Sequence, residues 1–538
     1  MLMGLMQHQP LLVSSILRHA ARHHAEGEVV SRRDDATLAR TSYAALEKRA
    51  RSLANTLLAL GARPGERVGT LAMNSDRHLE LYYAIMGIGA VCNTINPRLA
   101  HDDIAYIADH AEDGILFTDP AFAPIVAAVA PKLAKTLRTV VILCAEPEMP
   151  DVPLPAGMAL HCYETLLAGH SDDYAWPAFD ENAACGLCYT SGTTGRPKGV
   201  LFSHRATVLH AMTMAMGDVT ALRATDRVLP VVPMFHVNAR GLPFAARMIG
   251  AALVLPGRHL DPDSIISLLD GERVTISGGV PTVWLGVLAK LRERGTRFAT
   301  LQRLMSGGSA FPRALMADYA ELGVTVSHAW GMTESSPVAT WNSPKPSTLA
   351  LDAEARLDEQ ATQGRAVFGI DVRAENEAGE TPWDGRTQGN LVFRGHWVAS
   401  GYYRMPETSV GDDGWFPTGD VGVFSPAGYV VLTDRTKDLI KSGGEWISSI
   451  AIENIAVAHP DVAEAAAIAV PDPKWGERPL LIVVPRPNCA PTPESLRAFY
   501  KDKVPGWSIP DRVVIAESLP HGATGKILKT ELRRLYAA

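Results

Sequence analysis

From about residue 40 onward, short β-branched runs alternate with stretches whose apolar residues recur at helical spacing. Few architectures accept that alternation. Each helical stretch has to bury its apolar side on a sheet, so the pattern predicts α/β layering. Residues 76–87 show it: Leu79, Tyr82, Tyr83 and Met86 recur at helical spacing between the strand candidates 67–73 and 115–118. Further strand candidates cover 139–144, 228–232, 252–255, 274–277, 304–306 and 324–328. Several end in turns containing Gly or Pro, and sheets of this kind bind ligands beyond the carboxyl ends of their strands.

A chain of 538 residues exceeds what one hydrophobic core usually serves, so at least two units are expected. Residues 360–433 become rich in glycine, aromatics and short alternating strands such as 389–394 and 428–432, which reads as a β-rich subdomain. The polar stretch 434–438 marks a junction, and a small α+β unit is expected beyond it. The expected division is a large N-terminal domain, 1–433, and a C-terminal domain, 434–538.

The formal net charge of −7 offers no basic face for counterion release on nucleic acid. No apolar run approaches the roughly 18 to 20 residues that span a bilayer, so no transmembrane segment is expected. The six cysteines are few and scattered, which suits a reducing, cytoplasmic setting. Cys185 and Cys188 have the spacing of a redox or zinc pair, but no second pair or nearby histidines follow, and their apolar segment reads as a buried strand. Leu11, Leu12, Ile16, Leu17, Ala20 and Ala21 predict an N-terminal amphipathic helix that is retained rather than a transit peptide.

Residues 189–200, Tyr-Thr-Ser-Gly-Thr-Thr-Gly-Arg-Pro-Lys-Gly-Val, hold four Ser and Thr hydroxyls, three glycines and two cations. Glycines let successive N–H groups face one anion, hydroxyls donate further bonds, and Lys198 or Arg196 neutralises charge. The loop therefore reads as a phosphate cradle. A P-loop requires G-x-x-x-x-G-K-[ST], and here Gly199 follows Lys198, so that class is excluded.

Behind the loop stand, in order, Pro233-Met-Phe-His-Val-Asn238, Ser306-Gly-Gly-Ser-Ala310, His328-Ala-Trp-Gly-Met-Thr-Glu334 and Gly414-Trp-Phe-Pro-Thr-Gly-Asp420. Asp434-Arg-Thr-Lys-Asp-Leu-Ile-Lys-Ser-Gly-Gly-Glu445 and Pro520-His-Gly-Ala-Thr-Gly-Lys526 follow. Together the seven motifs resemble the adenylate-forming superfamily, which includes acyl-CoA synthetases, firefly-type luciferases and the adenylation domains of peptide synthetases. The resemblance covers essentially the whole chain. Segment 441–449 further resembles the medium- and long-chain fatty acyl-CoA synthetase branch, with its methylmercaptopropionate-CoA ligase relatives. The resemblance implies that a carboxylic acid attacks the α-phosphorus of ATP, that pyrophosphate leaves, and that CoA then takes the acyl group from acyl-AMP. Negative charges meet in the first step, so cations have to be arranged around it.

On the same resemblance, Thr190, Ser191, Gly192, Thr193, Thr194, Gly195 and Lys198 hold the pyrophosphate, and Glu334 with Thr190 holds Mg²⁺. Asp420 accepts both ribose hydroxyls with Arg435 beside it, while Gly308, His328, Ala329 and Thr333 line the adenine and α-phosphate. Lys526 is implied as the catalytic lysine, accompanied by His236, Glu334 and Thr190. Asp434 matches the hinge of a mobile small domain, and Lys437, Lys441, Gly443, Gly444 and Trp446 match the face it turns toward nucleotide and CoA. Segment 520–526 also resembles a pattern used for reversible lysine acylation, which makes a lysine acyltransferase acting on Lys526 an expected partner. Relatives make a homodimer the expected assembly.

The acid pocket is implied to involve His236, Val237, Gly307, Gly308, Trp330 and Pro337. Arg240 departs from the branch, which usually has an aromatic residue there, resembling a gate over the acyl tunnel. Two readings stand. Arg240 faces solvent or an acidic neighbour and lets medium-chain acids enter, or it pairs with a polar group or second carboxylate on the substrate. Among rival functions, a luciferase-like oxygenase shares the adenylating machinery. An amino-acid adenylation domain lacks its acidic partner near residue 235, and the joint presence of Thr190, Glu334, Asp420 and Lys526 opposes a regulator that has lost catalysis.

Overall fold

The computed structural model describes residues 1–190, 196–405, 409–443, 445–522 and 527–537, with Glu445 described by its backbone alone. A seven-stranded sheet runs from edge to edge through Ala159–Cys162, Thr139–Ile142, Ile115–Thr118, Arg67–Leu71, Val91–Thr94, Ala184–Thr190 and Lys198–Ser203. Its neighbours are parallel except for the last pair, an antiparallel hairpin whose two strands flank residues 191–195 in sequence. A nine-stranded sheet runs through Arg365–Ala366, Thr340–Trp341, Thr325–Trp330, Arg303–Gly307, Ile276–Gly279, Arg227–Pro230, Ala252–Leu255, Glu28–Arg32 and Leu38–Ser42. Its six middle strands are joined in parallel and its outer strands antiparallel.

Burial explains why these strands read as continuous apolar runs. Val91–Thr94, Ile115–Thr118, Thr139–Ile142 and Ala252–Leu255 are buried at every residue, as parallel strands covered on both faces must be. Helix Asp76–Gly87 packs against strands of both sheets, which buries nearly all of it and not only the predicted face. Ser75 caps it by accepting a hydrogen bond from the His78 N–H. Two strands start later than their sequence suggests: the apolar run at 274–277 forms Ile276–Gly279, and the run at 324–328 forms Thr325–Trp330.

The expected β-rich region is a five-stranded antiparallel sheet in the order Gly379–Glu380, Ile370–Asn376, Gly389–Gly395, Phe416–Phe424 and Val430–Arg435. Beyond it, Ile440–Ser442, Glu445–Ile447, Val462–Asp472, Gly476–Pro485 and Arg512–Ile515 form a sheet flanked by helices Ser449–Val457, Pro493–Phe499 and Lys529–Tyr536. This C-terminal α+β domain has its own apolar cores, one built on Ile440, Ile452, Leu481 and Tyr500, the other on Ile468, Leu480, Ile482 and Leu532. The N-terminal helix Val13–His23 buries Val13, Ile16, Leu17 and Ala20.

Cys185 and Cys188 lie buried in strand Ala184–Thr190, where burial pushes their thiols up to about 12 and about 11. Thiols held that far from ionisation are packing residues. Among the described residues no cluster of three His, Cys, Asp or Glu could hold a metal. No described helix is long and apolar enough to cross a membrane.

Candidate active site

Strand Thr325–Trp330 ends at Gly331, whose φ of 155° and surroundings admit no side chain, since a Cβ there would stand 1.8 Å from the Pro337 carbonyl oxygen. The tight exit delivers the 3-10 turn Thr333–Ser335 and buries Glu334 at its centre. The Tyr402 hydroxyl donates to Glu334 Oε1 over 2.6 Å, and the Tyr402 ring lies 4.9 Å from Lys198 Nζ. Lys198 is the cross-strand partner of Thr190. One tyrosine thus joins Lys198, at one end of the phosphate-loop hairpin, to the buried carboxylate. Tyr403 adds a backbone bond, its N–H donating to the Gly199 carbonyl over 2.8 Å. Residues Ser191, Gly192, Thr193, Thr194 and Gly195 lie outside the described residues.

Asp420 and Arg435 are register partners in the five-stranded sheet, with Arg435 Nε 3.4 Å from Asp420 Oδ1. The Trp330 indole N–H donates to Asp420 Oδ2 over 2.8 Å, so the carboxylate is held at both oxygens from two different sheets. Trp330, expected as pocket wall, also orients this carboxylate. Gly308, at φ 92°, follows strand Arg303–Gly307, and Ala329 pairs with Gly307 across to the next strand. His328 is buried, and its ring nitrogens face the Ala361 and Ser309 carbonyls at 3.2 and 3.3 Å. Burial holds it below the ordinary histidine range, the two carbonyls opposing that shift. Thr333 is buried one residue before Glu334.

His236 is half-buried on the loop after strand Arg227–Pro230. Asn74 fixes that loop: its Nδ2 donates to the Pro230 and Val232 carbonyls, both at 2.9 Å, and its Oδ1 accepts from the Met234 N–H at 2.6 Å. From Val237 to Arg240 the backbone makes a left-handed turn, with φ of 43, 51, 47 and 59° at four successive non-glycine residues before Gly241. Such a conformation costs about 1–2 kcal/mol per residue, so the surroundings must impose it.

The turn carries Arg240 inward. It is 7 % exposed, its Nη2 donates to the Gly307 carbonyl over 2.6 Å, and it forms no ion pair among the described residues. That corrects the reading in which Arg240 faces solvent or an acidic neighbour. The left-handed turn, invisible in residue type, is the reason. Val237 and Trp330 are also buried, and Gly307 has the Ala329 carbonyl and the Arg240 guanidinium against the side where a Cβ would stand.

Asp434 is 2 % exposed. Its Oδ1 accepts from the Arg435 N–H and its Oδ2 from the Ser449 N–H at 2.6 Å, and burial pushes its carboxyl up. Lys529, on the last helix, donates to the Ser449 hydroxyl and pairs with Glu453 at 2.7 Å. Lys441 and Trp446 are register partners on the hairpin Ile440–Ser442 and Glu445–Ile447, with Nζ 4.8 Å from the ring. Gly443, at φ 61°, makes the turn. The Lys437 carbonyl accepts from Arg533 over 3.3 Å, and burial lowers the Lys437 ammonium. Gly444 and Lys526 lie outside the described residues; on either side of Lys526, His521 and Ile527 form an antiparallel bridge.

Sequence reasoning missed Tyr402, Asn74 and Lys529. Tyr402 had one faint signal, an aromatic pair following Gly401. Asn74 and Lys529 had none.

The layered sheets and separate C-terminal domain define an adenylate-forming enzyme. Residues 17–403 match the AMP-binding enzyme family and residues 451–526 the AMP-binding enzyme C-terminal domain, and the chain belongs to that family. It is an AMP-forming acid–CoA ligase that uses ATP and CoA. The chain is 46% identical to the 3-methylmercaptopropionyl-CoA ligase of Ruegeria lacuscaerulensis, covering 99% of this chain and 98% of that one. It is 46% identical over the same shares to the medium-chain-fatty-acid–CoA ligase of Ectopseudomonas oleovorans. Among solved structures it resembles the anthranilate CoA ligase AuaEII in complex with anthranoyl-AMP, with a TM-score of 0.86 over 98% of both chains, a likeness of fold at 24% identity.

Proposed function

We propose that the acid is of the fatty-acid type, medium or long in chain, and that it is activated at the carboxyl ends of the nine-stranded sheet. The relative named for medium-chain fatty acids supports this class. The observation that carries the site is the joining of Lys198, the cross-strand partner of Thr190, to Glu334 through Tyr402, with a carboxylate, Asp420, held by Trp330 and Arg435.

Asp420 has the chemistry to accept both ribose hydroxyls, since an ionised carboxylate only accepts. Small or backbone-presenting groups at Gly308, Ala329 and Thr333, with neutral His328, leave room for the base and the α-phosphate. Lys198 and the donors of 191–195 balance the leaving pyrophosphate. Glu334 and Thr190 would hold Mg²⁺, because one buried carboxylate with a hydroxyl suits an ion that completes its shell with water and phosphate oxygens. When bound, that ion would supply positive charge to neutralise the phosphates. His236 stands beside the reacting carboxylate, and Lys526 bridges carboxylate and phosphate oxygens in the first half-reaction.

For the second half-reaction the unit 434–538 turns about Asp434, bringing Lys437, Lys441, Gly443, Gly444 and Trp446 to the nucleotide and CoA. Acylation of Lys526 by an acyltransferase would remove the charge that adenylation needs, and a cytoplasmic homodimer completes the proposal. Lys526→Ala tests the centre of it. Acid- and ATP-dependent adenylate formation is expected to be nearly abolished while thioester formation from supplied acyl-AMP is largely kept. Near-normal pyrophosphate release by the variant would remove Lys526 from the first step.

A further inference from the structure

Arg240 is a buried cation, and nothing among the described residues answers its charge. Its one hydrogen bond among the described residues goes to a neutral carbonyl, that of Gly307, and Nη1 is buried without a partner. Arg247, seven residues on, is also buried without a carboxylate, but it lies 5.3 and 6.0 Å from the rings of Tyr43 and Tyr83, whose π faces attract a cation. Among the described residues no ring is so placed for Arg240. Burial pushes its guanidinium down to about 10, which leaves it protonated at neutral pH. His328 feels that charge, which adds to burial in holding the histidine below its ordinary range, and an imidazole supplies no anion to answer it.

Leaving such a group unpaired is strongly unfavourable, and the fold holds it there through a left-handed turn of four residues. Gly307 lets its strand and the guanidinium lie close: a Cβ at that position would stand 2.6 Å from the Ala329 carbonyl oxygen and 3.4 Å from Nη1. We infer that the acid substrate carries a second anionic group, a carboxylate at the far end of a medium-length chain, and that Arg240 is the specificity-determining residue that receives it at Nη1. The inference rests on the acid–CoA ligase reading of the same site. A planar fork with Nη2 tied to Gly307 and Nη1 free suits a carboxylate oxygen better than a methyl terminus.

The test compares full-length enzyme on hexanoate, octanoate and decanoate with adipate, suberate and sebacate, reading kcat/KM from ATP- and CoA-dependent pyrophosphate release. Wild type is expected to prefer one diacid over the monoacid of equal length by ~10-fold or more. Arg240→Met should lose that diacid by ~100-fold and gain on the monoacid, because an unpaired donor is replaced by an apolar chain. Arg240→Lys, which keeps the charge, should retain the order of preference. Preference for monoacids in wild type, unchanged in Arg240→Met, overturns the inference and leaves the ligase reading standing. A uniform loss with every acid in both variants also overturns it, assigning Arg240 to the nucleotide or the fold. If no acid in either series supports AMP formation, the ligase reading of this site fails and takes the inference with it.

Discussion

Tyr402 shows how one side chain can organise charges that lie far apart in sequence. Its hydroxyl meets Glu334 and its ring meets Lys198, so acid and cation are kept near each other without forming an ion pair that would spend both charges. Burial, reinforced by the Glu334 carboxylate, pushes the phenol up, and it remains a donor at any working pH. Tyr402→Phe removes one hydrogen bond to a carboxylate, an interaction of about 1.5–3 kcal/mol. The expected result is a ~10-fold or greater loss of kcat/KM at limiting magnesium, with a higher magnesium requirement, read from pyrophosphate release against MgCl₂ at fixed ATP. An unchanged magnesium profile would show that the hydroxyl does not orient Glu334. At this scale the sequence named Glu334 and Lys198 because they sit in ordered motifs, but it was silent on Tyr402, whose role depends on a contact across 68 residues. Arg240 was legible as a departure and not as a buried group, because residue type carries no record of a left-handed backbone.

Elements were the most legible part of the chain. Helix Asp76–Gly87 and the central strands follow from periodicity and β-branching, which act locally. What periodicity does not carry is which helix docks on which. Helix Val13–His23 meets helix His204–Ala215 through one bond, the Val13 N–H donating to His204 Nδ1 over 3.2 Å. That bond needs an unprotonated Nδ1. Burial pushes His204 down to about 4, against a model-peptide value near 6.5. A histidine with a depressed folded pKa is protonated more readily when unfolded, so stability rises with pH between these values. Its contribution is complete above about 6.5 and is lost as pH falls toward about 4. Wild type is therefore expected to lose more melting temperature between these limits than His204→Gln, whose amide does not titrate. Parallel melting curves for the two proteins would contradict the assignment of this histidine as buried and neutral.

Across the whole molecule, the question is how a β-rich sheet hands over to the C-terminal unit. Composition marked the change near residue 434, but only the structure shows what holds it. Asp434, the penultimate residue of strand Val430–Arg435, accepts from Ser449, the first residue of helix Ser449–Val457, while Lys529 binds the same serine and Glu453. Lys529 loses charge stability to burial, yet Glu453 and Asp434 more than restore it and raise its pKa. Ser449, Glu453 and Lys529 all lie beyond Asp434 in the chain, so its side chain is anchored to the part proposed to turn, and on that proposal rotation would fall on its backbone. Fixing φ there with Asp434→Pro should trap one arrangement. One half-reaction, adenylate formation or thioester formation from supplied acyl-AMP, is expected to survive while the other falls by ~100-fold or more. Asp434→Ala separates the two consequences of the change, because it removes the anchor but leaves φ free, and it should slow both half-reactions together without uncoupling them. If the proline variant runs both steps at wild-type rates, or loses both in equal measure, the turning point lies elsewhere in the chain and Asp434 serves only to join sheet to helix.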